Sequence, residues 1–128
     1  MRLVNYGPGE IADRLTILAL KIVAGEEAGK DVKHFRDERN ALLVKLNAQK
    51  NVDCLEELIE LGAINARIWQ TEDELRRWRS PTSGAITATD ADTIRKLAFR
   101  AQELNDRRAE LIAKVNREAG EYFGAEKV

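Results

Sequence analysis

Hydrophobic residues recur every three or four positions through most of this chain, which is the spacing that places side chains on one face of a helix. The first such segment predicts a helix over residues 10–24, and the pattern resumes over residues 31–49. A third segment runs from an N-cap at Asp53 to residue 79. The first two thirds of the chain are therefore predicted to form three amphipathic helices.

A fourth predicted helix follows the stretch SPTSGAITATD, which is the least hydrophobic part of the chain and the expected mobile loop. Its candidate N-caps, residue types that accept a backbone N–H, are Thr89, Asp90 and Asp92. Gly120 predicts the end of this helix after Ala119. Beyond it, we expect Tyr122 and Phe123 to pack back onto the helices.

Four helices with short connections predict an all-α fold, an antiparallel up-and-down four-helix bundle with long third and fourth helices. A length of 128 residues fits a single domain, residues 1–128. The composition agrees, because 34% of residues are charged and only 5% are aromatic. A β-rich fold is not expected.

Charge and hydropathy restrict the partners and the location. The formal net charge is −1, so we expect no nucleic-acid partner and no attraction to anionic membranes. The apolar run LTILALKI contains Lys21 and is too short to span a bilayer. Cys54, the only cysteine, predicts a core thiol and no disulfide. We therefore expect a cytoplasmic, soluble protein with no membrane association.

Several polar residues fall on the apolar faces of the predicted helices, where a simple core would place hydrophobic ones. Antiparallel packing would bring some of them to one height, as a polar layer across the bundle. This predicted layer consists of Arg39, Asn65, Asn105 and Arg108, with Asp13 and Arg14 nearby. Glu72 and Arg76 lie closer to the SPTSG loop, at the spacing of an i,i+4 pair.

Two interpretations of this polar layer stay open. It is either a satisfied network that fixes helix register, or a pocket that binds an anion. The second follows from charge, because the inward positions offer three arginines but few carboxylates, and unpaired buried cations are costly. Arginine suits bidentate binding of carboxylates and phosphates. The candidate ligand-binding residues are Arg39, Asn65, Glu72, Arg76, Asn105 and Arg108.

Catalytic and metal sites are less well supported. His34 is the only histidine and lies beside an apolar stripe, where a general base is not expected. The segments EELIE and ELND resemble the acidic pairs with which all-helical nucleotide pyrophosphohydrolases hold magnesium. Their carboxylates lie mostly off the predicted buried faces. We expect no metal and no cofactor.

An enzyme alternative comes from the segment ELNDRRAELIAKVN, which is similar to helices of the all-helical chorismate mutases. In that family, arginines inside a bundle hold a dicarboxylate while it rearranges. The resemblance implies such a role for Arg39, Arg76 and Arg108, with Glu72 as a hydrogen-bonding group. The basic residues are not at the spacings that the family uses on its first helix.

A second resemblance covers nearly the whole chain. The segments GEIADRLTILALK, INARIWQTEDELR and LNDRRAELIAKVN and the ending GEYFGAEKV resemble a family of small uncharacterised bacterial all-helical proteins, a domain of unknown function. A related family carries histidine where this chain has Gln70. The motifs mark Glu10, Asp13, Trp69, Glu72, Asp73, Arg76, Asn105, Asp106, Arg108 and Ala109. The resemblance implies a binding or accessory role linked to surface-polysaccharide synthesis, without established catalytic residues.

Two large apolar residues fall on outer helix faces. Trp78 lies on the outside of the third predicted helix and Phe99 on the outside of the fourth. Exposed aromatic residues on neighbouring helices indicate a contact surface. We therefore expect a homodimer through Trp78 and Phe99. The alternative is that the C-terminal tail or the SPTSG loop covers these two residues.

Overall fold

A computed structural model describes residues 6–49, 53–79 and 86–120, apart from the side chain of Arg79, and the described residues form four α-helices and no strand. The helices are α1 (Pro8–Glu27), α2 (Lys33–Asn47), α3 (Leu55–Arg79) and α4 (Ala88–Ala119). The all-α, four-helix prediction is confirmed, whereas the up-and-down order of the helices stays a prediction. The expected mobile SPTSG loop and the aromatic tail residues Tyr122 and Phe123 lie outside the described residues.

Helix α1 is longer at both ends than the hydrophobic pattern predicted. It begins at Pro8, whose fixed φ suits the first helical position and whose missing N–H has no role there. It also continues past the break predicted at Gly25, which lies inside the helix. A Cβ atom at this position would come within 2.4 Å of Val32 Cγ1. The chain turns only at Gly29, which has a φ of 70°. Small size at Gly25 therefore serves packing against the start of α2.

The long helices also begin at other residues than predicted. Helix α3 starts at Leu55, one residue later than an Asp53 N-cap requires. Helix α4 is capped by Thr87, and none of the three predicted N-caps was right. The Thr87 hydroxyl accepts the Asp90 N–H at 3.1 Å, and the Asp90 carboxylate accepts the Thr87 N–H at 3.1 Å. The predicted end at Ala119, followed by Gly120, is confirmed.

Helix α1 is the centre of the fold. It packs against each of the other three helices, and α3 and α4 also pack along each other, whereas the backbone of α2 approaches only that of α1 among the described helices. One apolar cluster joins α1 to α2 and contains Ile11, Leu15, Leu18 and Leu42. A second cluster lies among α1, α3 and α4 and contains Ala12, Cys54, Leu61 and Val115, and a third lies between α3 and α4 and contains Ile64, Ile68 and Leu104. Leu46 of α2 packs against both the first and the second cluster, so α2 also contributes to the apolar interior among α1, α3 and α4.

The start of α1 lies unusually close to α4. A Cβ atom on Gly9 would come within 2.3 Å of the Ile112 carbonyl oxygen. The Gly9 N–H donates to Asn116 Oδ1 at 2.8 Å, and Asn116 Nδ2 donates to both Glu10 carboxylate oxygens at 3.0 and 2.9 Å. These contacts fix the start of α1 on the last turns of α4.

Within the described chain, every helix is too short or too polar to cross a membrane.

Candidate functional site

A buried carboxylate, Asp13 of α1, ties three helices together. Arg108 of α4 donates to it through Nε at 2.8 Å and Nη2 at 2.6 Å. Asn65 of α3 donates through Nδ2 to Asp13 Oδ1 at 2.9 Å and to Thr16 Oγ1 at 2.7 Å. A buried carboxylate needs such donors because its desolvation is costly when it has no partner. We call Asp13, Thr16, Asn65 and Arg108 the Asp13 cluster.

The charges of Asp13 and Arg108 compensate each other within the Asp13 cluster. The hydrogen bonds from Arg108 to Asp13 raise the pKa of the guanidinium above its ordinary value, while partial burial opposes this effect. Both hydrogens of Asn65 Nδ2 have acceptors, and every fully buried polar side-chain atom in the described part of the chain has a hydrogen-bond partner. The cluster is therefore a satisfied network of the kind the first interpretation of the polar layer required.

The polar layer contains fewer residues than the sequence predicted. Asn65 and Arg108 belong to the Asp13 cluster, and Asn105 lies at its exposed edge, with Oδ1 3.5 Å from Arg108 Nη1 and Nδ2 donating to the Ala101 carbonyl at 3.0 Å. Arg39 is not part of it, because the backbone of α2 approaches α1 but neither α3 nor α4, which carry Asn65 and Arg108. Its guanidinium instead donates to the neighbouring Asn40 at 3.2 and 3.1 Å.

The predicted Glu72–Arg76 pair does not form. Arg76 is exposed and pairs with Asp73 on the same helix. Asp73 lines one groove together with Glu27 in the last turn of α1. Arg14, expected near the layer, binds Glu38 of α2 at 2.7 and 2.9 Å. The surplus of buried cations inferred from the sequence is therefore absent from the described residues.

A pocket opens beside the Asp13 cluster, between α1, α3 and α4. Its volume is about 270 Å³. Its walls combine apolar side chains with two cations and a carboxylate: Ile17, Leu20, Lys21, Asn65, Ile68, Trp69, Glu72 and Arg108. An apolar cleft with a few converging polar groups is the usual form of a small-molecule site. We call this cleft the α1–α3–α4 pocket.

Polar groups of the pocket retain hydrogen-bonding capacity. Arg108 uses Nε and Nη2 for Asp13, while its Nη1 has only the long contact to Asn105. Lys21 forms no ion pair with a described residue and lies 5.4 Å from the centre of the Phe35 ring. Glu72 is exposed and has no ion pair among the described residues. Its negative charge contributes to raising the pKa of Arg108. Two donors and one acceptor therefore remain available to a ligand.

Two pocket residues were missed as candidates in the sequence. Lys21 was used only to exclude a membrane span, and Trp69 was not among the candidate ligand-binding residues. Both line the pocket. A signal for Lys21 was present, because it is the one charged residue within the apolar run LTILALKI. A cation in the most hydrophobic segment of the chain points to a site next to the core.

Four other residues singled out in the sequence do not line the pocket: Cys54, His34, Trp78 and Phe99. Cys54 is buried, as predicted for a core thiol, and burial raises the pKa of that thiol. His34 is exposed and lies against the Phe35 ring, 3.9 Å between ring centres. Trp78 and Phe99 are exposed as predicted, by 37% and 64%. The homodimer itself stays a prediction.

Comparisons with protein-family models, with curated proteins and with solved structures find no match.

Proposed function

We propose that this chain is a binding or accessory protein that holds a small anionic ligand in the α1–α3–α4 pocket. The observation that carries the proposal is that two cations line one cleft with apolar walls: Arg108, whose Nη1 has only a 3.5 Å contact to Asn105, and Lys21, which contacts the Phe35 ring but has no ion pair among the described residues. The Asp13 cluster would orient the guanidinium, since Asp13 holds two of its nitrogens. A guanidinium held in this way donates to a carboxylate or phosphate without losing side-chain entropy on binding.

Other groups in the pocket limit the ligand. Glu72 would accept hydrogen bonds, and the indole ring of Trp69 offers an apolar face. Arg108 is already paired with Asp13, and Glu72 adds a carboxylate to the pocket wall, so a ligand of low charge with hydroxyl groups fits better than a polyanion. Sugar phosphates and hydroxylated carboxylates combine these properties.

The resemblance to small bacterial all-helical proteins supports a setting in surface-polysaccharide synthesis. It rests on the segments around Glu10, Trp69 and Asn105. The proposal includes a cytoplasmic location in a bacterium and makes nucleotide sugars and sugar phosphates the first ligands to test. The chorismate mutase alternative has less support, because Arg39, Arg76 and Arg108 have three separate partners, Asn40, Asp73 and Asp13.

The proposal is tested by thermal unfolding with inorganic phosphate, sugar phosphates, nucleotide sugars and dicarboxylates. A ligand that binds only the native state adds about 2.7 kcal/mol at a hundredfold excess over Kd, so the unfolding midpoint rises. The Lys21→Met variant should lose this shift. Lys33→Met is the matched control, since Lys33 is an exposed lysine of α2 paired with Asp37, and it should keep the shift.

Two results would contradict anion binding in the pocket. One is that no compound in the panel raises the unfolding midpoint of the wild-type protein. The other is that a midpoint shift persists unchanged in Lys21→Met, which would move the ligand to a different part of the surface.

A further inference from the structure

Helix α3 carries a stripe of apolar residues that faces away from the core. Leu55 and Ile59 are 65% and 68% exposed, and Ala63 and Ala66 continue the same side of the helix at spacings of three and four residues. Single exposed apolar residues are ordinary, but a continuous row along one helix indicates a contact surface. We call these four residues the α3 stripe.

The neighbouring surface of α1 extends the α3 stripe. Val23 is 58% exposed and lines a shallow groove together with Ala66 and Gln70. The small side chains of Ala63 and Ala66 let another helix approach closely, since the distance between packed helices depends on side-chain size at the contact. A partner helix lying along the α3 stripe would therefore also cover Val23.

Two charged residues at the edge of the stripe have no partner within the described chain. Glu56 and Arg67 are both exposed, and neither forms an ion pair or a side-chain hydrogen bond with a described residue. Their positions are almost symmetric about Leu61 along α3. Opposite charges placed in this way would meet each other if two α3 helices packed antiparallel about a two-fold axis at Leu61.

We propose that the α3 stripe is the interface of a homodimer in which two α3 helices pack antiparallel. Ile59 and Ala63 lie symmetrically about Leu61, and Leu55 and Ala66 do so to within one residue. The two-fold axis that places Glu56 opposite Arg67 of the second copy therefore also places Ile59 opposite Ala63 and Leu55 opposite Ala66. Each large side chain then meets a small one. Apolar contacts and charges agree on one register, as an isologous interface requires. This inference does not depend on the proposed ligand.

The surface around Phe99 is less suitable for self-association, although Phe99 is 64% exposed. It lies in a depression with Arg95, Lys96, Arg100 and Glu103, where Asp92 pairs with Arg95 and Lys96, and Arg100 has no ion pair among the described residues. A two-fold contact at Phe99 would bring the guanidinium of Arg100 close to its copy, and this like-charge contact is unfavourable. The interface is therefore assigned to the α3 stripe rather than to the Trp78 and Phe99 surface expected from the sequence.

Sedimentation equilibrium of the full chain tests this assignment. The wild-type protein should have twice the 14.4 kDa mass of one chain, and Ile59→Glu should have the mass of a monomer. Phe99→Glu is the control, because it puts the same charge at a similarly exposed site, and it should stay dimeric. The circular dichroism of each variant verifies that the helices remain. A monomeric wild-type protein, or dissociation by Phe99→Glu but not by Ile59→Glu, would overturn the proposal.

Charge reversal tests the register. Glu56→Arg and Arg67→Glu should each raise the dimer dissociation constant about tenfold, because each places like charges opposite one another at two symmetric sites. The double variant Glu56→Arg/Arg67→Glu should restore wild-type association. If the double variant dimerises no better than the single variants, the two residues do not face each other and the antiparallel register is wrong.

Discussion

At the scale of single residues, the pairing of Asp13 with Arg108 is the most consequential interaction. Arg108→Met should destabilise the protein by about 3 kcal/mol, because it leaves a buried carboxylate with Asn65 as its remaining side-chain donor. Urea unfolding at pH 7 measures this loss. Arg107→Met is the control, since Arg107 is exposed and pairs with Glu60 on the surface, and it should change stability by less than about 0.5 kcal/mol. Equal effects of the two substitutions would contradict a structural role for the Asp13 cluster.

The pairing of Arg14 with Glu38 predicts a pH dependence. The hydrogen bonds from Arg14 lower the pKa of the Glu38 carboxyl, so the stabilisation is fully present above the ordinary glutamate pKa and is lost as pH falls through the lowered folded value. Glu38→Gln should therefore cost about 1 kcal/mol at pH 7, and progressively less below about pH 4.5. Urea unfolding of both proteins across this range measures the difference. A cost that stays constant down to pH 2 would show that charge is not involved.

At the scale of helices, the contact between α1 and α4 depends on a missing side chain. Gly9→Ala should destabilise the protein by about 2 kcal/mol, because the added methyl group would overlap the Ile112 carbonyl oxygen and push the helices apart. Gly62→Ala is the matched control, since its Cβ would lie 3.8 Å from Thr16 Cγ2, an ordinary contact. It should stabilise α3 by about 0.5–1 kcal/mol through helix propensity. Thermal unfolding distinguishes the two signs, and destabilisation by both alanines would contradict this packing.

The helices themselves were largely predictable from the sequence, whereas their ends were not. Periodicity shows which residues are buried on a helix, so it found all four elements. It carries no information about caps, which depend on single hydrogen bonds such as that from the Asp90 N–H to Thr87. The start at Pro8 and the continuation through Gly25 depend on local backbone geometry and on contacts with other helices.

At the scale of the whole molecule, the candidate site was predictable only in part. A helical wheel shows which way a residue faces on its own helix, but not which helix that face meets. Arg39 was misplaced for this reason, because the backbone of α2 approaches only α1, and Arg76 because it pairs with Asp73 on the exposed surface of its own helix. Asn65 and Arg108 were placed correctly beside Asp13, since all three lie at one height on helices that do meet.

The most direct measurement of ligand binding in the α1–α3–α4 pocket is the fluorescence of Trp69. Trp78→Phe makes Trp69 the single tryptophan, because the chain has two. Titration with inorganic phosphate and with a sugar phosphate should produce a saturable change in emission, which the additional substitution Lys21→Met abolishes. Emission that stays constant with both ligands, or that changes equally without Lys21, would contradict the assignment of this pocket as an anion site.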